Sequence, residues 1–271
     1  STKGENINLY NWKKNKVEEI KKNFVQANYE KFYKYLLQNS FKTESDVVPF
    51  ILNIYRKLRH LTHEEDEGVN ALNLLFRMFA CHEDNVDIQN IDFDKWGINQ
   101  TDLAQDNFAK YYEDFVSGVG ALKPDVELII RHSSGILFQE TQKEALFFNN
   151  NEDLFGMLSG KYTTKRKTFT SSHYTPAFVA RSIVEIAISK IDLHSKKTLK
   201  ILDPACGTSN FLMEVLKQLK SKNYDGSVNV IGWDTSPSAI QTSNFLLHYE
   251  LRDWQEKLTF KLEVVDDSLS K

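Results

Sequence analysis

The sequence predicts an α/β protein: a helical N-terminal domain followed by the first half of a Rossmann-like parallel sheet, ending after its third strand. Three observations predict it. Apolar residues recur at helical spacing through the first half of the chain. After Pro176, short apolar runs alternate with helical segments, and three of those runs end in an acid. Strand–helix alternation of this kind means βαβ units with right-handed crossovers.

Taken in order, residues 17–38 place Ile20, Phe24, Tyr29, Phe32 and Leu36 on one helical stripe, with lysines on the other side. Residues 45–61 and 70–81 continue the helical pattern, and the second of these is apolar nearly all round and so expected to be buried. Only Pro49 and Pro124 precede residue 150 and glycine is sparse, which favours a compact helical domain over a string of hairpins. The polar stretch NNNED at 149–153 marks the expected seam between domains 1–150 and 151–271. A short helix and the turn-rich KYTTKRKTFTSSHYTP come next. Helices are then expected over 178–191, 209–222 and 237–250, the last with Pro237 at its start, where a missing N–H costs nothing. Strands are expected over 199–205, 228–234 and 258–267.

Composition narrows the field. The chain has 271 residues, a net charge of −3 and a pI near 6.2, so no global basic field draws it to nucleic acid; a local patch could still do so. Cys81 and Cys206 lie far apart and match no metal-ligand spacing, so no metal is expected and a reducing compartment is. Without an apolar run of signal-peptide or membrane-span length, the expectation is a cytoplasmic protein with no membrane partner.

In a doubly wound sheet, ligands bind outside the carboxyl ends of the strands. All three expected strands end there in acids: Asp203, Asp234 and the pair Asp266–Asp267. Asp203 opens a tight turn, DPACG, in which Gly207 can take positive φ and admit a ligand to the backbone. The next helix starts near Ser209, so its free N–H groups face the same place. The loop has one glycine and no lysine, unlike a phosphate cradle, and suits a ligand with a cationic or hydroxyl-bearing part. A carboxylate at Asp234 can accept both hydroxyls of a ribose. An acid ending the third strand can accept from a purine amine, with Asp267 or Asp266 as the inward residue. Adenine, ribose and a charged amino-acid end together describe S-adenosylmethionine.

DPACGTSNFL, residues 203–212, closely resembles the first motif of the amino-methylating DNA methyltransferases, Asp-Pro-Ala-Cys-Gly-Ser-Gly-x-Phe-Leu. HYTP at 173–176 resembles their Tyr-Tyr-Thr-Pro element, and KRKTFTSSHYTP is similar to the run that carries it in the large adenine methyltransferases of type I, fused type II and phage-exclusion systems. GWDTSPSAI at 232–240 resembles the second motif, DDSL at 266–269 the third, and LLFRMFACHEDN at 74–85 a helical stretch of the leading domain. The resemblance implies that Asp203, Ala205, Gly207 and Phe211 shape the methionine side of the pocket, with Tyr174, Thr175 and Pro176 closing it. It assigns the ribose to Asp234 and the adenine amine to Asp267. It also implies an adenine-N6 DNA methyltransferase of a restriction–modification or phage-defence system, with cytosine-N4 methylation sharing the motif set. Two departures stand out: Ser209 replaces the second glycine of the first motif, and Ser172 and His173 replace a glycine and a tyrosine.

Catalysis in this family uses an Asn/Asp-Pro-Pro-Tyr/Phe loop after the fourth strand. No two of the five prolines here are adjacent, so that loop is not among these residues and no catalytic residue is assigned. The sequence therefore reads as the leading piece of a longer enzyme, inactive alone. Double-stranded DNA would be met mainly through parts beyond it, with a specificity or restriction subunit as a further partner. The alternative is a non-catalytic scaffold or partner-binding subunit on the same fold; a dinucleotide oxidoreductase is disfavoured by the missing Gly-x-Gly-x-x-Gly. Cys206 reads as a packed turn residue, HLTHEEDE at 60–67 as a solvated helix end, KRK at 165–167 as a loop that could touch phosphates, and the stripe of Phe24, Tyr29 and Phe32 as core.

Overall fold

The computed structural model describes residues 2–3, 5–11, 16–39, 48–63, 68–101, 105–118, 126–130, 137–138, 141, 144–152, 158–164 and 175–267. Outside them lie several sequence-based expectations: the acids at 64–67, the short helix after residue 153, KRK, His173, Tyr174 and the Ser268–Leu269 end of the third motif. Compactness divides the chain into two units, Ser1–Lys42 and Thr43–Lys271.

The first unit is a three-stranded antiparallel sheet, β1 (Thr2–Lys3), β2 (Asn6–Asn11) and β3 (Lys16–Lys21), followed by α1 (Lys22–Ala27) and α2 (Tyr29–Asn39). The helix expected over 17–38 is thus corrected at its start. KVEEIK pairs along its length with β2, Ile20 opposite Ile7, and the helix begins only at Lys22. Cross-strand pairing supplies the backbone partners that a helix would otherwise provide, and helical spacing within one segment does not reveal a partner strand. The expected core stripe is also corrected. Phe24 is 58% exposed and Tyr29 64%, while Val25 is buried.

The second unit opens with α3 (Val48–Thr62), α4 (Val69–Asp84), the short α5 (Phe93–Trp96), α6 (Gln105–Ser117) and a single turn, α7 (Val126–Leu128). A hairpin follows, β4 (Glu144–Glu152) with β5 (Leu158–Thr164). This corrects two readings: the NNNE of the expected seam lies within β4, and KYTT belongs to a strand. Phe147 pairs with Lys161, and the register shifts between Phe148 and Glu152, so the asparagines fall at an irregularity that a strand can absorb.

Then come α8 (Ala177–Ser189), β6 (Thr198–Asp203), α9 (Asn210–Ser221), β7 (Ser227–Asp234), α10 (Pro237–Trp254) and β8 (Leu258–Val264). The three strands form a parallel sheet in the order β6–β7–β8, with Ile201, Val230 and Phe260 in register. Right-handed crossovers place α9 and α10 on one face of it. Burial follows: Val228, Val230 and Leu258 are buried beneath the helices, whereas Lys200, Leu202, Thr259 and Lys261, on the opposite parity, are exposed.

The core runs through α10. This helix packs on β7 and β8 and also on α4 and α5. Phe245 stacks on Phe76 with ring centroids 4.4 Å apart and on Trp96 at 5.6 Å. The buried Gln241 amide donates to Asn73 Oδ1 at 2.7 Å and to the Gly97 carbonyl at 3.0 Å. The buried Glu250 carboxylate accepts from Lys220 of α9 at 2.8 Å, which settles an otherwise costly charge. The early helices and the sheet therefore share one core. No helix among the described residues is long and apolar enough to cross a membrane.

Candidate functional site

The site forms where β6 and β7 end side by side. At the end of β6 the Asp203 carboxylate accepts from the Ala205 N–H at 3.1 Å, closing an Asx turn. The Cys206 N–H donates across to the Trp233 carbonyl at 2.8 Å, holding the turn against β7. Gly207 takes φ +52, and a Cβ built on it would meet no atom within 4 Å, so this side of the loop faces open space. Its N–H donates to Asp234 Oδ2 at 2.8 Å, while the Ser236 N–H donates to Asp234 Oδ1 at 3.0 Å. One carboxylate therefore ties together the loops after β6 and β7. The Asp234 backbone carbonyl accepts from Val265 N at 2.9 Å, which joins the residue after the end of β8 to the same residue.

Of the residues expected at the site, Asp203, Ala205, Gly207 and Asp234 are brought together. Asp203 is half-buried, and its pKa is raised by burial and by the neighbouring Asp234 charge, against the Ala205 hydrogen bond that lowers it. Thr175 joins the loop through its carbonyl, which accepts from Asn210 Nδ2 at 3.5 Å, and Pro176 caps α8 at its exposed N-terminus. Phe211 is half-buried and lines a groove of about 380 Å³ between α8 and β6, beside Asp203 and Pro204. Asp267 is exposed, three residues beyond the end of β8, as is Asp266. Tyr174 lies outside the described residues.

Cys206 is buried, and burial with the nearby Asp203 and Asp234 charges pushes its pKa up to about 12. A thiol so firmly protonated is no nucleophile. Gly232 is needed beneath it: a Cβ there would come within 2.6 Å of Leu262 and 3.0 Å of the Cys206 sulfur. Ser209 sits at φ +61 as the N-cap of α9, with its hydroxyl buried and unpartnered. That backbone is one glycine adopts freely and serine adopts at a cost.

Sequence reasoning missed two supports. Asn210 ties the Thr175 segment to the loop, and Ser243 of α10 donates to the Gly207 carbonyl at 2.8 Å. Neither carries a local signal, because each partner is distant in sequence. Ser236 was findable. A serine before Pro237 is an N-cap signature, and its hydroxyl accepts from Ala239 N at 3.2 Å.

Parallel strands, acids at their carboxyl ends and an open-sided glycine loop define an α/β nucleotide-type binding domain. Residues 150–259 match the family model of the N-6 DNA methylases. Among solved structures, the chain is similar to a protein of Listeria monocytogenes described as a class I S-adenosylmethionine-dependent methyltransferase, at 17% identity and a TM-score of 0.42. That likeness covers 83% of this chain and 54% of the Listeria one, so the chain spans about half the length of that protein, and it is too loose to bear on the site.

Proposed function

We propose that this chain is the cofactor-binding leading part of an adenine-N6 DNA methyltransferase that takes its methyl group from S-adenosylmethionine and serves in a restriction–modification or phage-defence system. The observation that carries the reading is the Asp234 carboxylate, held by the Gly207 and Ser236 N–H groups at the carboxyl ends of parallel strands. Each of its oxygens has a lone pair left after those bonds, so it can still accept from a vicinal diol. The residues fit the cofactor. Gly207 leaves open space beside the loop, and the Asp203 and Asp234 charges favour a ligand carrying a sulfonium and an ammonium. When bound, the cofactor supplies a methyl on a sulfonium leaving group. The chain's own part is to hold and orient it, with Asp234 on the ribose, Asp267 toward the adenine amine, and Tyr174, Thr175 and Pro176 closing the methionine end.

We assign the Asn/Asp-Pro-Pro-Tyr/Phe loop and most of the DNA contacts to a continuation of the polypeptide, and a specificity or restriction subunit to its partners. A second reading, a non-catalytic scaffold, is favoured by one observation: the strained Ser209 with its orphaned hydroxyl, where the motif has glycine. Calorimetric titration with S-adenosylmethionine tests both. We expect binding that Asp234→Ala weakens by about tenfold or more, equivalent to about 1.4 kcal/mol. A wild-type chain that takes up no cofactor would favour the scaffold.

A further inference from the structure

The net charge of −3 conceals a strong asymmetry. Residues 1–42 carry nine lysines against four glutamates, with no arginine or aspartate, a net charge of +5; residues 43–271 therefore carry −8. The same short unit holds eight aromatic residues. Phe24, Tyr29, Tyr33 and Tyr35 are each about half exposed or more. Tyr29 and Tyr33, one helical turn apart on α2, lie nearly parallel, with ring centroids 6.1 Å apart and planes 11° from each other. Lys21, Lys22, Lys31 and Lys34 are exposed, and no acid among the described residues pairs with them.

We propose that the Ser1–Lys42 unit binds DNA, with a grip independent of sequence. Lysine ammonium groups free of internal partners bind phosphates and release condensed counterions, a gain open only to a polyanion. Exposed, parallel tyrosine rings supply flat faces for sugars or unpaired bases. Charge decides between DNA and a protein partner. A surface that joins two folded proteins is depleted of lysine, and this one is enriched in it. A second copy pairing through the same unit would bring a like charge of +5 against this one, which repels. The inference rests on the proposed function only in taking DNA as the polyanion.

The test is fluorescence anisotropy of the full chain with a labelled duplex and with a single strand of equal length, across a salt series. The variants are the quadruple K21Q/K22Q/K31Q/K34Q and the double Y29A/Y33A, each checked for unchanged circular dichroism and S-adenosylmethionine binding. We expect the wild type to bind DNA regardless of sequence. Loss of four phosphate contacts should lower the slope of log K against log salt by about 3 to 4 on duplex. Loss of the tyrosines should weaken the single strand by about tenfold or more and the duplex less. Wild-type-like DNA binding by the quadruple variant overturns the proposal while leaving cofactor binding, and the function built on it, intact. A wild-type chain that binds neither DNA overturns it too. So does a dimer in sedimentation that Y29A/Y33A converts to monomer, which would make this surface a protein interface.

Discussion

The two faces of the parallel sheet are made from the same three strands and are finished differently. Beneath α9 and α10 the strands present Val228, Val230 and Leu258, all buried, to a layer that continues through Phe245 to α4 and α5. On the other face they present Lys200, Thr259 and Lys261 to solvent, along with Leu202 at 52% exposure. All-parallel sheets ordinarily have both faces covered and read as continuous apolar runs. Here one face has the finished character of a domain core, while the other has the mixed character of a surface. Parallel topology alone therefore does not dictate what covers a sheet; residues at alternating positions do.

The largest effect should come from the covered side. Phe245→Ala removes the ring that joins α10 to Phe76 and Trp96, and should cost about 3 to 5 kcal/mol in urea denaturation. A loss under about 1 kcal/mol would mean that the early helices and the sheet do not unfold as one body.

A smaller and pH-dependent effect belongs to the rim where the faces meet. Burial, with the Asp234 charge, raises the folded pKa of Asp203 above its unfolded value, so ionisation is harder in the fold. Its penalty is absent below the unfolded carboxylate pKa and is fully present above the folded one. Asp203→Asn, whose amide oxygen can still accept from Ala205 N, should therefore stabilise the chain at neutral pH. That gain should fade as the pH drops through the carboxylate range. Melting temperatures of both proteins across pH 3–8 would show it, and parallel curves would refute it.

The smallest effect is expected on the open face. Leu202→Lys should change stability by no more than about 0.5 kcal/mol, because the side chain is already half in water. It should also reduce any concentration-dependent association along the β6 edge, which pairs with no further strand among the described residues, since a lysine blunts such an edge. A cost above about 2 kcal/mol would mean that this face is covered in solution.

Legibility in the sequence followed how local each determinant is. Strands β6, β7 and β8 were readable because each is a short apolar run closed by a turn or an acid, and α10 because Pro237 announces it. Asp203, Gly207 and Asp234 followed from strand ends alone. The β3 strand was hidden because KVEEIKKNF has helical spacing, and only its pairing with β2 decides otherwise. The β4–β5 hairpin was hidden by its asparagines. Asn210 and Ser243 act on partners that only the tertiary fold brings near.

The buried cysteines have a practical side. Burial holds Cys81 at a pKa of about 11, and Cys206 sits near 12, so at neutral pH neither offers appreciable thiolate to an alkylating probe. A single cysteine introduced at an exposed position would then be the one reactive handle on the chain. Fluorophores or spin labels could be attached there site by site, with both native sulfurs left in place.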